Sequence, residues 1–339
     1  MSPNRLNRRF ALVRRPEGMP VAADFQLLEE PLPPLADGQF LLRNHYASLD
    51  PAMRGWMDDR PSYVPPIQLG DPVRALTVGM VVESRNPDYP VGQWACGMNA
   101  IEDYSLGGPG RFTNCVDPDA VLSVTNYLSA VGTVGFTAYF ALLEGGEPKA
   151  GETVLVTGAA GAVGSLVGQI AKMKGCRTIG IAGGPAKCDR LLRDYGYDAA
   201  IDYRGKSPEE LTEAIRAAAP DGVDVHFENV GGEILDAGLL ALNQRARVVI
   251  CGLISQYNSD PYPTRNLWQL IVKGARMQGF ILTHYVPRIG EAIPVLADWV
   301  KQGKLRVDEH IEEGIENALP AFLRLFDGTN QGKMILKIA

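Results

Sequence analysis

Hydrophobic positions change their rhythm along the chain. Over the first 125 or so residues, short apolar stretches (40–42, 78–82 and 120–124) are broken repeatedly by Pro and Gly. That texture predicts a mostly β, barrel-like region. From Ala130 onward, short apolar runs alternate with longer amphipathic segments, the pattern of βαβ units around a parallel sheet. The runs predict strands at 153–157, 177–182, 199–202, 223–229, 247–251 and 277–282, with helices at 163–174, 187–195, 208–218, 234–241 and 265–273. The final stretch returns to the texture of the beginning and ends in a strand at 333–338. An α/β chain follows, in which a doubly wound parallel sheet (129–297) is inserted into a mostly β domain built from 1–128 and 298–339. No internal repeat or low-complexity segment interrupts this plan.

Composition narrows the picture. A chain of 339 residues exceeds what one hydrophobic core usually serves, in keeping with two domains. A net charge of -6 without a local Lys/Arg cluster disfavours nucleic acid and anionic membrane as partners. The basic N-terminal stretch MSPNRLNRRFALVRRPEG lacks the apolar segment of a signal peptide, and no run of about 18 apolar residues occurs, so a soluble cytoplasmic protein is expected. Five scattered cysteines without a CxxC pair fit reduced thiols. The four histidines form no HExxH signature, and no metal site is expected.

The most informative segment is ETVLVTGAAGAVGSLVGQIAKMKG, where Val154, Leu155 and Val156 lead into Gly158, Gly161 and Gly164 ahead of an apolar helix. In such a strand-turn-helix the first glycine allows the reversal, the second lets backbone N–H groups approach a pyrophosphate, and the third permits close packing. The backbone of Gly158, Ala160, Gly161, Ala162 and Val163 is then the phosphate-facing surface at a positive helix end. The spacing is GxxGxxG rather than GxGxxG, so the context carries the reading. An NAD site usually ends its second strand in Asp or Glu; here the strand runs into Gly183, Gly184, Pro185, Ala186 and Lys187, with no acidic residue between Ser165 and Cys188. Glycines leave room for a 2'-phosphate and Lys187 supplies countercharge, which favours NADPH. Tyr203 either closes over that phosphate or packs nearby.

Seven collinear blocks together resemble the zinc-free medium-chain dehydrogenase/reductases of the prostaglandin reductase, leukotriene B4 dehydrogenase and alkenal reductase group. They are SLDPAMRG (48–55), GFTAYF (135–140), VTGAAGAVGSLVGQIAK, ENVGGE (228–233), CGLISQYN (251–258), KGARMQGFIL (273–282) and GKMILKI (332–338). The GHE motif and four-cysteine loop of zinc-containing cousins are missing. The resemblance implies a Rossmann domain set in a GroES-like barrel domain. It also implies NADPH-dependent reduction of the C=C bond of α,β-unsaturated aldehydes or ketones, and a homodimer joined through the edge strand 277–282. It carries Lys187 and Tyr203 onto the 2'-phosphate, Asn229 and Gly231 onto the crossing under ribose and pyrophosphate, Cys251 and Gly252 onto the adenine-side ribose, and Phe280, Ile281 and Leu282 onto the carboxamide. Thr137 falls beside the nicotinamide, and Asn330 and Gly332 complete the cofactor shell. Tyr257 matches a tyrosine near the nicotinamide ribose and substrate carbonyl; either it donates to that carbonyl or it packs over the cofactor. Where the group often has a pocket tyrosine, this chain has Ala52, and Tyr63 either restores part of that wall or is an ordinary loop aromatic. A quinone reductase, an allylic alcohol dehydrogenase or a non-catalytic NADPH sensor could use the same scaffold.

Overall fold

Pro and Gly divide the early chain into short strands whose faces alternate, and these become a mostly antiparallel layer. The computed structural model describes residues 5–339; Met1 to Asn4, which begin the basic N-terminal stretch, lie outside the described residues. β1 (Leu6–Leu12) and β2 (Phe25–Pro31) form a separate antiparallel pair. β3 (Phe40–Ser48), β4 (Arg74–Ser84), β5 (Trp94–Ala100) and β7 (Thr113–Cys115) pair in succession, and β6 (Tyr104–Gly107) lies on β3. A single turn of helix, α1 (Met53–Trp56), interrupts them. The apolar stretch 120–124 forms no strand. Asp117 and Ser123 accept the N–H groups of Asp119 and Thr125, winding Pro118–Ala120 and Val124–Leu128 into 3-10 turns instead.

The chain then builds a second unit, Ala130–Asp308, before returning to the first. α2 (Thr133–Phe140) opens it, followed by β8 (Thr153–Thr157), α3 (Ala162–Met173), β9 (Arg177–Ala182), α4 (Pro185–Asp194), β10 (Ala199–Asp202), α5 (Pro208–Ala218), β11 (Val223–Glu228), α6 (Gly232–Leu239), β12 (Leu242–Ile250), α7 (Trp268–Lys273), β13 (Arg276–Gly279) and α8 (Ile289–Lys301). All six strands are parallel, in the order β10-β9-β8-β11-β12-β13. This is the doubly wound Rossmann order, and its switch point, where ligands bind beyond the strand ends, falls between β8 and β11. Leu155, Ile179, Val223, Leu235, Val248 and their neighbours form its core.

Element ends shift for local reasons. α4 starts at Pro185, whose fixed φ suits a first helical position. α7 begins at Trp268, not 265, because the N–H groups of Arg265 and Asn266 are held by the Asp236 carboxylate. β13 stops at Gly279 because its partner β12 ends at Ile250: the next two N–H groups, of Cys251 and Gly252, turn away to the Glu228 carbonyl. Leu282 therefore opens a 3-10 segment rather than ending a strand.

The first unit resumes at Glu309, with β14 (Glu309–Glu313), α9 (Ala318–Asp327) and β15 (Lys333–Lys337), and β15 pairs antiparallel with β3. The return falls at 308/309 rather than 297/298. Residues after 298 stay with the inserted unit because Trp299 packs on Tyr139, the Gln169 amide bonds both Arg306 backbone groups, and Asp308 accepts from Tyr195 and Arg190. Leu12, Leu49, Met53, Phe322, Met334 and Leu336 form the first unit's core.

Candidate functional site

β8 is buried along its whole length and ends in the glycine turn. Gly158 has φ of 57°, a left-handed conformation that costs most residues with a Cβ about 1 kcal/mol or more. Gly161 caps α3 without any side chain satisfying the first-turn amides, and its own Cβ would sit 3.1 Å from the Gly158 carbonyl oxygen. At Gly164 a Cβ would come to 2.5 Å from that oxygen and 2.7 Å from Ala159 Cα, so α3 reaches the strand end only because this residue is glycine. The amides of Ala162 and Val163 open α3, beyond Ala160 in the turn. This is a cradle that a phosphate fits, with donors and the helix dipole aligned. A buried tyrosine that the sequence reading missed locks it: the Tyr197 hydroxyl donates to the Gly164 carbonyl at 2.7 Å, and its ring lies 2.0 Å from where a Gly168 Cβ would be.

The rim assembles from two strand ends. Gly183 follows β9, and a Cβ there would meet Arg204 Nε at 3.0 Å and the Tyr203 hydroxyl at 3.2 Å. Lys187 lies in the first turn of α4 and is half-buried. The structure thus brings Tyr203 to Gly183 and adds a cation, Arg204, that sequence reasoning did not name. It also brings Asp202 there, but one oxygen of that carboxylate accepts the N–H groups of Gly184 at 2.8 Å and Arg204 at 3.0 Å. Asp202 accordingly shapes the loop between β9 and α4.

Across the switch point, Asn229 donates its side-chain amide to the Thr157 carbonyl at 2.7 Å, joining the ends of β8 and β11. Gly231 has φ of 81°, and Gln256 lies against it. The loop 251–257 is laced to this turn by Ile254 N–H to Asn229 O and Ser255 N–H to Val230 O. Within it, half-buried Tyr257 accepts the Leu253 N–H at 3.3 Å, and its hydroxyl lies 3.1 Å from where a Gly252 Cβ would be. Its position is therefore set by the backbone. Burial, with the charge of Glu228, pushes the Cys251 thiol up to about 12, so it is protonated at neutral pH. Beyond β13, the Phe280 N–H is committed to the Ile250 carbonyl and the Ile281 carbonyl to the His284 N–H, leaving the Phe280 carbonyl and the N–H groups of Ile281 and Leu282 for a ligand. Thr137 is half-buried on α2, which packs on α3.

The remaining residues named from the sequence belong to the first unit. Buried Asn330 donates to the Gly332 carbonyl at 3.0 Å, and Gly332 has φ of 72°. Next to it, Lys333 is only 2% exposed; its ammonium bonds the Leu49 carbonyl and the Asp50 carboxylate, and burial lowers its pKa. Ala52 heads α1, and Arg54 of that turn points inward to the Pro16 and Gly18 carbonyls. Exposed Tyr63 accepts the Trp56 indole N–H at 3.0 Å, which tethers its loop to α1. Among the described residues, no cluster of three or more His, Cys, Asp or Glu is arranged to hold a metal ion, and none of the five cysteines is in a disulfide.

A six-stranded Rossmann sheet with this cradle, set within a mostly antiparallel unit, defines a dinucleotide-dependent oxidoreductase. The chain belongs to the medium-chain dehydrogenase/reductase superfamily, in its zinc-free reductase group. Residues 8–114 match the family described as the N-terminal domain of oxidoreductase, and residues 162–300 match the zinc-binding dehydrogenase family. The chain is 41% identical to the NADPH-dependent curcumin reductase of Escherichia coli strain K12, over 98% of its own length and 97% of that protein's. It is 39% identical to prostaglandin reductase 1 of Rattus norvegicus, covering 97% and 98% of the two chains. The crystal structure of CurA from Vibrio vulnificus in complex with NADPH superposes with a TM-score of 0.91 at 39% identity, covering 98% and 99%. No helix among the described residues is long and apolar enough to cross a membrane.

Proposed function

We propose that this protein reduces the C=C bond of α,β-unsaturated aldehydes and ketones with NADPH. The observation that carries the cofactor is the rim: Gly183 lets Tyr203 and Arg204 close against the end of β9, where an NAD site would place a carboxylate. Relatives named as curcumin and prostaglandin reductases support conjugated carbonyl substrates. The cradle of Gly158, Gly161 and the first turn of α3 would hold the pyrophosphate, with Gly183, Lys187, Tyr203 and Arg204 at the 2'-phosphate. Asn229, Gly231, Cys251 and Gly252 would line the riboses. Thr137 and the backbone of Phe280, Ile281 and Leu282 would orient the nicotinamide. NADPH, when bound, would supply the hydride for the β-carbon, and a proton delivered to the α-carbon by water or Tyr257 would complete the saturated product.

The protein's own task is the carbonyl end. Negative charge grows on the substrate oxygen as the double bond is reduced, and a donor fixed there before reaction lowers the barrier. Tyr257 is that donor in this reading, since the Leu253 amide sets where its hydroxyl stands. Ala52 and Tyr63 would shape the substrate side, the alanine leaving room for bulkier enones.

The test follows NADPH consumption with alkenals, enones, saturated aldehydes, quinones and allylic alcohols, with product analysis. Saturated carbonyl products from alkenals and enones are expected; alcohols from saturated aldehydes, or turnover of quinones alone, would overturn the assignment. Free thiols support work in the cytoplasm. Trp268, Ile271 and Val272 are exposed on α7 beside the edge strand β13, which supports a homodimer through that edge, readable as twice the chain mass by light scattering.

A further inference from the structure

Glu228 ends β11 with no exposed side-chain surface, and a carboxylate in such a place is costly unless its lone pairs are satisfied. One of its oxygens, Oε1, accepts three donors: the Thr157 hydroxyl at 2.6 Å, the Gly231 N–H at 2.8 Å and the Val230 N–H. The other, Oε2, lies 3.0 Å from Nε2 of His226, a fully buried imidazole. That ring fills the space a Cβ on Gly238 of α6 would need, 2.2 Å from where it would sit. The amides of Val230 and Gly231 are therefore spent on Glu228, not presented to a phosphate.

The consequence reaches the ligand face through Asn229. Its N–H donates to the Thr157 hydroxyl oxygen at 2.8 Å, and its side-chain amide donates to the Thr157 carbonyl at 2.7 Å. Both donors of Asn229 used here are thus held by a residue that Glu228 itself holds. The side-chain Oδ1 is the atom left to accept from a ribose hydroxyl. The main chain adds a second link: the Glu228 carbonyl accepts the Cys251 and Gly252 amides, which start the loop carrying Tyr257.

We propose that Glu228 is a positioning residue of the cofactor site, whose buried carboxylate, acting through Thr157, presents Asn229 to the ribose. The inference rests on NADPH as the cofactor. It concerns how the site is held, and the Glu228 carboxylate is the group it assigns. Three donors converge on Oε1, while Oε2 lies near His226 without a hydrogen bond; Gln keeps Oε1 for all three, and Ala keeps none.

The experiment compares Thr157→Val, Thr157→Ser, Glu228→Gln and Glu228→Ala by NADPH fluorescence titration, thermal melting and steady-state kinetics. Thr157→Val, similar in shape but without the hydroxyl, should weaken NADPH about threefold to tenfold, the worth of a hydrogen bond or two. Thr157→Ser should restore wild-type affinity. Glu228→Gln should stay within about threefold and Glu228→Ala should lose about tenfold or more. In each weakened variant the KM for NADPH should rise while kcat and the enone KM hold. A purely structural role predicts instead a lower melting point and a smaller active fraction with unchanged affinity, and that result overturns the proposal. Should Glu228→Ala fail to fold, the Thr157 pair decides alone: equal NADPH affinity in Thr157→Val and Thr157→Ser refutes it. Wild-type protein that binds no NADPH would instead sink the functional reading itself.

Discussion

Replacing Gly164 by alanine tests whether the cradle is held by the approach of α3 to β8. A Cβ there would stand 2.5 Å from the Gly158 carbonyl oxygen and 2.7 Å from Ala159 Cα. Both are backbone atoms, so the helix must move. Overpacking of this kind costs about 1–3 kcal/mol, while Gly to Ala inside a helix returns about 0.5–1 kcal/mol. The net is a loss of up to about 2.5 kcal/mol, or up to about 10 °C in melting temperature for a domain of this size. Affinity should fall as well, since displacing α3 carries its first-turn amides away from the phosphates. Gly161→Ala meets the same oxygen only at 3.1 Å and should cost less on both measures. Calorimetric melting and NADPH titration on the two variants read the comparison directly. Wild-type melting and binding in Gly164→Ala, or a larger loss in Gly161→Ala, would refute the reasoning.

The remaining expectations follow from the same geometry. Tyr257→Phe should lower kcat for enones by about 10²-fold while NADPH titration stays near wild type, and undiminished turnover would remove Tyr257 from the chemistry. Lys187→Ala and Arg204→Ala should each weaken NADPH far more than NADH, with the gap narrowing as salt rises; equal losses for both cofactors would contradict a 2'-phosphate at Gly183. Because Cys251 is held up to about 12, it should resist iodoacetamide at neutral pH, read by mass spectrometry on the intact chain. Alkylation there as fast as at exposed Cys115 would show that the Cys251 thiol is not held protonated.

Much of the inserted unit was legible because its signals are local. Strand periodicity located all six parallel strands, four of them within a residue at each end, and the spacing of Gly158, Gly161 and Gly164 marked the turn. Other features depend on pairing between distant segments. Arg204 and Asp202 reach Gly183 and Gly184 only because β10 pairs with β9, which no sequence window contains. Tyr197 matters to the cradle because its ring lies on Gly168, and the segment 298–308 stays with the inserted unit through bonds to Gln169, Arg190 and Tyr195. The stretch 120–124 lies between 3-10 turns that Asp117 and Ser123 cap, which its apolar residues alone did not show.

The order of apolar and polar residues by itself determined an α/β chain with a glycine turn after β8 and no acidic residue at the end of β9, since helix period, strand period and turn chemistry act over a few neighbours. Tertiary structure alone decided which cation flanks Gly183, where Glu228 spends its lone pairs and how Tyr257 is held. Those outcomes depend on sheet order and on burial, and burial is a property of the folded chain.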